Sequence, residues 1–248
     1  MKKVLTKNQR YLALIITVIL TVTIYFPTFQ NEFTNYDDDR LITENYLIRD
    51  LSAENIQQMF TEYYDNLYQP ITLLTWAVEY ELVGYDHWLY HLNNLLLHLL
   101  SVWLVFLIIR KLFKNDYLAL FTTALFAIHP MHTESVAWLS ERKDVLLGVF
   151  YFSALLNYIN YIDRHNKKFF LLSMLFFLLS LGVKGQAVTL AATLVAVDYL
   201  KGRKLLSKYV LLEKIPFFVA GLIFGLFALG GHGEITENEQ IGISLSAI

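Results

Sequence analysis

The sequence contains no cysteine, which removes thiol catalysis, thiolate-bound zinc and disulfide stapling from consideration. Charge is scarce as well. Only 17% of the 248 residues are Asp, Glu, Lys or Arg, against about 25% in an ordinary soluble domain. Neither sign prevails: 20 basic and 22 acidic residues leave a net charge of −2, so there is no basic field of the kind that binds nucleic acid. Internal repeats, low-complexity tracts and flexible linkers are missing too. What the chain has instead is apolar surface, with 56% hydrophobic and 15% aromatic residues gathered in blocks between charged clusters. A single soluble core does not account for that pattern. An all-α, multi-pass membrane protein does.

Seven blocks can be marked, at about 11–29, 88–109, 117–131, 145–162, 168–183, 186–200 and 215–231. A comfortable spanning helix needs about 20 residues, so the third, fifth and sixth need flanking residues or neighbours to complete them. The first follows Met1-Lys2-Lys3 and ends near Phe26-Pro27. Its apolar run exceeds a signal-peptide core, and no small-residue cleavage site follows, so it reads as a retained helix. If each block crosses once from a cytoplasmic N-terminus, the N-terminal stretch and residues 110–116, 163–168 and 201–214 share one side. That side, with Lys214, holds 15 of the 20 basic residues and only four acidic ones, Asp116, Asp163, Asp198 and Glu213. The positive-inside rule places it in the cytoplasm.

The polar chemistry then falls on the outer side. Residues 30–87 form a loop too long for a mere connector. Ser52 stands at an N-cap position before Ile56, Met59 and Phe60 at helical spacing, and Pro70 opens a second apolar run. Both read as helices, the second lying at the membrane interface. At its other end the chain passes Gly230-Gly231 and an acidic stretch through Glu239, then stops soon after Ile241-Gly242-Ile243-Ser244. That ending reads as a fragment or a truncated frame.

Four polar constellations lie on the outer side. Asn35-Tyr36-Asp37-Asp38-Asp39-Arg40 sets three carboxylates side by side. They suit a general base toward a hydroxyl, a hard metal ion, or a solvated acidic turn. His129-Pro130-Met131-His132-Thr133-Glu134, with Arg142, Lys143 and Asp144 soon after, lacks zinc-protease spacing. Pro130 ends the third helix there, leaving the histidines as interfacial anchors or, with the adjacent cations, as a phosphate site. His91, Asn94 and His98 step by three and four along one helical face, where they bond neighbouring helices or face a substrate. Lys184, before Gly185-Gln186, either snorkels or joins the other three.

In order, the motifs are NYDDDRLITEN, YQPITLLTW, HLNNLLLHLL, FAIHPMHTESVAWLSERKDVL and VKGQAVTL, with a late Asp198-Tyr199. The series resembles bacterial membrane proteins related to the transmembrane and tetratricopeptide-repeat O-mannosyltransferases, of the GT-C glycosyltransferase superfamily, over residues 10–230. The resemblance implies a multi-helix membrane enzyme that takes a sugar from a polyprenyl-phosphate carrier. It implies an outer acidic motif beside two interfacial helices and, in many members, a C-terminal repeat domain. Asp37 and Asp38 match the paired acidic motif. His129, His132 and Glu134 match the second-loop motif, and Arg142 and Asp144 the start of the fourth helix. Lys184 matches a lysine of the third motif, whose usual continuation Gly185 and Gln186 replace. The family's later helices and repeats are not within these 248 residues.

The resulting expectation is a single GT-C-like module over residues 1–248, in a bacterial cytoplasmic membrane with its N-terminus inside. It transfers a sugar to a hydroxyl of a protein or glycan acceptor at the outer face. Asp37 or Asp38 serves as base. Arg142, Lys143 and Lys184 stabilise the departing lipid phosphate, and His91, His129, His132 and Glu134 bind or orient substrate. No cofactor is required by this scheme, and the acidic cluster leaves room for a divalent metal. Asp38, His91, His129, His132 and Arg142 are expected around one cavity. The rival readings are a non-catalytic scaffold of the same fold and, behind it, a transporter or lipid-carrier flippase.

Overall fold

Each of the seven apolar blocks is a helix in the computed structural model, which describes the backbone of residues 5–245 and the side chains of residues 5–228. Met1-Lys2-Lys3 and the side chains from Gly230 to Ser244, on which two sequence expectations rest, lie outside the described residues. Helix α1 (Lys7–Tyr25) starts at a reciprocal cap between Thr6 and Gln9. In the loop beyond it, Ser52 caps α2 (Ala53–Thr61) and Pro70 opens α3 (Pro70–Val83). Asp86 caps α4 (His87–Phe113), which ends at left-handed Lys114 with Arg110 and Lys111 in its last turn, where cations oppose the helix dipole. Asn115 caps α5 (Asp116–Ile128), and His129-Pro130 ends it. The short α6 (Thr133–Ala137) leads into α7 (Arg142–Arg164). Then come α8 (Lys167–Leu181), α9 (Leu190–Leu200) and α10 (Lys208–Leu245). No strand occurs among the described residues beyond an isolated bridge between Tyr64 and Leu67.

Among the described residues, four helical segments are long and apolar enough to cross a membrane: Lys7–Gln30, His87–Phe113, Leu139–Arg164 and Lys208–Ala228. Helices α5, α8 and α9 have 13, 15 and 11 residues. They reach only about 20, 22 and 16 Å at 1.5 Å per residue, against about 30 Å of hydrocarbon. The apolar side chains that α1 leaves outside, among them Leu12, Ile15, Ile16 and Ile19, suit contact with lipid. This is a helical membrane protein.

Two of the four hydrophobic clusters among the described residues organise it. One joins α7 to α10 through Tyr158, Ile159, Phe177, Leu194 and Phe217. The other lies within the 30–87 segment, where Leu41, Ile42, Ile48, Met59, Leu73 and Trp76 pack with Tyr90 and Leu139. Burial of each such side chain contributes about 1.5–3 kcal/mol, enough to make the segment a folded cap on the bundle. Buried Asn45 fixes its first turn, donating to the Leu41 carbonyl at 3.0 Å and accepting from the Leu47 N–H at 2.9 Å. The cap also meets α8: the Ile71 N–H donates to the Gly182 carbonyl at 3.0 Å. Gly182 permits that approach, since a Cβ there would stand 3.0 Å from an Ile71 side-chain carbon.

Candidate functional site

The three consecutive aspartates diverge. Asp37 is partly exposed and pairs at 2.6 Å with Arg40, which also reaches Asp65 at 3.3 Å. Asp38 points inward and is only 1% exposed. One of its oxygens accepts from the Thr34 N–H at 2.9 Å and the Thr34 hydroxyl at 3.0 Å; the other accepts from the Ser140 N–H at 2.9 Å and, closely, the Ser140 hydroxyl. Asp39 starts the next turn. An acidic triplet arranged this way does not converge on one ion, and no three His, Asp or Glu residues gather as metal ligands among the described residues.

Asp38 lines a cavity of 440 Å³ together with His91, Glu134, Tyr36 and Trp138. His91 is buried, and its Nε2 lies 3.0 Å from the Asn31 carbonyl. That contact requires Nε2–H as donor and ties the start of the cap to α4. Glu134 is exposed, and the Tyr36 and Trp138 rings stand 5.9 Å apart.

A second cavity, of 310 Å³, opens on the other side of α6. Its polar lining includes His98, Ser101, His132, Ser135, Asp144, Tyr151 and Gln186, and Phe126, Leu147 and Phe152 supply apolar wall. Asp144 accepts from Ser135 at 3.0 Å and pairs with Lys184 at 2.5 Å. Glu141 takes Lys143 at 2.9 Å and Lys184 at 3.5 Å. Both lysines expected at a phosphate therefore already hold carboxylates. His98 contacts the Ala127 carbonyl at 3.0 Å, an interhelical hydrogen bond. His129 is exposed and accepts from the Met131 N–H at 3.2 Å, so it shapes the turn and lines neither cavity.

Burial pulls the His132 imidazole below its ordinary value of 6.5; His129 adds to the shift and Asp144 opposes it. A histidine depressed in the folded state binds fewer protons there than in the unfolded chain. Its contribution is complete above about pH 6.5 and is lost as pH falls toward the lowered folded value. Between pH 8 and 5 the melting temperature should fall for the wild type and fall less for His132→Gln. Equal slopes would remove His132 as the source.

Arg142 corrects the sequence expectation. It is wholly buried, with Nε donating to Asn94 at 2.8 Å, Nη2 to the Tyr90 carbonyl at 2.8 Å, and Nη1 in a close ion pair with Glu79. Glu79 also accepts from Asn93 at 2.5 Å. Burial raises the Glu79 carboxyl above its usual range, and Arg142 and Asn93 pull it back. A buried guanidinium must be matched by acceptors, and these consume the group expected at the donor phosphate. Arg142 and Glu79 border a third, leucine-lined groove of 460 Å³. The single expected cavity is thus divided: Asp38 and His91 in one space, His132 in another, Arg142 in a third, His129 in none. Glu79, Thr34 and Ser140 escaped the sequence reading. Glu79 carried a signal, an acid three residues after buried Trp76 on the same helical face; the other two carried none.

A helical membrane bundle whose folded cap closes over polar cavities at one end is the class that these features define. A family model for dolichyl-phosphate-mannose-protein mannosyltransferases matches residues 70–230, and the chain belongs to that family. Among its relatives, the protein O-mannosyl-transferase Tmtc1 of Drosophila melanogaster is 35% identical over 49% of this chain and 14% of its own length. The Xenopus laevis protein O-mannosyl-transferase tmtc2 is 29% identical over 89% of this chain and 29% of its own. Human TMTC1, likewise a protein O-mannosyl-transferase, is 37% identical over 39% and 11%. The chain spans less than a third of the length of each.

Proposed function

We propose that this chain is the membrane portion of a glycosyltransferase that moves a sugar from a polyprenyl-phosphate-linked donor to a hydroxyl of a protein or glycan acceptor at the outer face. The observation that supports it most is α6 and the residue before it: Thr133 and Glu134 line the Asp38 cavity, and His132 and Ser135 line the Asp144 cavity. Two polar spaces separated by one short helix suit two substrates that must meet. In this reading the acceptor occupies the Asp38 cavity and its hydroxyl displaces that of Thr34, the exposed and rotatable donor. Asp38 takes the proton as the acceptor oxygen bonds to the anomeric carbon, and the bond from that carbon to the phosphate oxygen breaks. The lipid phosphate leaves with the electron pair toward His132 and Ser135, its chain along Phe126 and Phe152; Lys184 and Lys143 reach it only by exchanging their carboxylate partners Asp144 and Glu141 for it. Asp37, paired with Arg40 outside the cavity, is assigned a supporting place.

The charge distribution supports seven crossings with a cytoplasmic N-terminus, the short α5, α8 and α9 completed by flanking residues. The relatives above are animal proteins, so a bacterial cytoplasmic membrane is our reading of the motif order alone. Because the chain has no cysteine, a single Glu62→Cys should react with an impermeant maleimide in intact cells and a single Lys167→Cys should not. The reverse pattern rejects the orientation. For the donor, a polyprenyl-phosphate mannose should raise the melting temperature of the purified protein, while the unphosphorylated polyprenol should not. Equal shifts, or none with helicity intact, reject the donor assignment.

A further inference from the structure

The opposite end of the bundle carries a second kind of site. Arg10 at the start of α1, Arg110 and Lys111 in the last turn of α4, Lys114 in the turn that follows, and Asp116 at the start of α5 enclose a cavity of 330 Å³ with Leu107. Four cations face one carboxylate. Asp116 is 5% exposed and accepts from the Leu5 N–H at 3.1 Å, from Arg10 Nη1 at 3.2 Å and from Arg110 Nε at 3.0 Å. Each arginine spends one nitrogen on it and keeps two others. Lys111 is paired with Asp163 at 3.2 Å. Lys114 is exposed and meets no carboxylate among the described residues; its left-handed backbone, at φ 52, turns the chain around the cavity. Asp116 therefore holds the two arginines in place without neutralising the group.

The level in the membrane is marked independently. Tyr11, Phe113 and Tyr117 are each about half exposed beside these residues, and aromatic rings of this kind sit at the headgroup layer. A basic pocket between the ends of spanning helices at that depth suits a lipid phosphate. We infer that the Arg10–Arg110–Lys114 cavity binds a phosphate monoester or diester anion, and specifically the headgroup of an anionic phospholipid.

The test uses the full chain, purified in detergent and titrated with phosphatidylglycerol or phosphatidylcholine, with bound lipid counted by native mass spectrometry. Phosphatidylglycerol should be retained over phosphatidylcholine. At about 1 kcal/mol for each cation near a membrane surface, Arg110→Gln combined with Lys114→Gln should weaken retention about thirtyfold. Lys204→Gln with Lys208→Gln removes two cations from the same end outside the cavity and should leave retention within about threefold. Melting curves of both double variants establish that each is folded; if the first is not, Lys114→Gln alone, at an exposed site, should still lose about fivefold. Equal retention in the two double variants, or no preference for phosphatidylglycerol, overturns the site. Inorganic phosphate displacing the lipid at equal concentration would overturn the lipid assignment in favour of a soluble anion.

Discussion

Arg142→Ala is expected to cost about 3–5 kcal/mol of stability, the loss that follows when one partner of a buried ion pair is removed and the other stays behind. Glu79 would be left with Asn93 alone, in a site whose burial already disfavours its charge. The variant should therefore be scarce in membranes and melt early. Glu79→Gln should behave similarly, because it strands the guanidinium. Replacing both at once, with Glu79→Leu and Arg142→Met, removes the charges together and should recover much of the loss, since such exchanges are often neutral or stabilising. The cycle is measured by thermal melts of the four proteins in one detergent. If Arg142→Ala melts normally and only its use of the lipid-phosphate donor falls, the structural assignment is wrong and the sequence-based one stands.

That reversal illustrates what the sequence can and cannot tell. Helix positions were legible because apolar blocks and caps are local: Ser52, Pro70 and Pro130 each stand where their backbone preferences put them. The inward face of α4 was legible too, since His91, Asn94 and His98 share a helical face by spacing and all are buried. Partners were not legible. Whether Arg142 meets a phosphate or a carboxylate depends on Glu79, which lies 63 positions away and comes beside it only after α3 folds onto α4 and α7. Whether Asp37 or Asp38 points inward depends on the turn at Asp39–Thr43, which buries Leu41 and Ile42 and so directs Asp38 toward Ser140. Charge and length led to the expectation of one shared end of the bundle. The partition of that end into three spaces depends on side-chain packing around α6, and no periodicity reports it.

Asp38→Asn should lower transfer by about 10²–10⁴-fold, the usual contribution of a general base, in a full-length protein that is otherwise active. The same carboxylate also joins the cap to α7, so a structural explanation must be separable. Asparagine turns an NH₂ toward donors at Thr34 or Ser140, and one unsatisfied buried group costs about 1–3 kcal/mol. Ser140→Ala supplies the comparison. It removes one donor to the same oxygen, keeps the charge, and lowers stability by a similar amount, so its transfer should stay within about tenfold of wild type. Asp37→Asn breaks only the pair with Arg40, whose side chain is 58% exposed; exposed pairs are worth about 0–1 kcal/mol, and transfer should change little. A carboxylate that takes a proton predicts a loss at Asp38 far beyond its loss of stability. If transfer in Asp38→Asn and Ser140→Ala falls in step with their melting temperatures, Asp38 is an anchor only. Its four hydrogen bonds and the carboxylate-held Lys143 and Lys184 would then favour a non-catalytic scaffold.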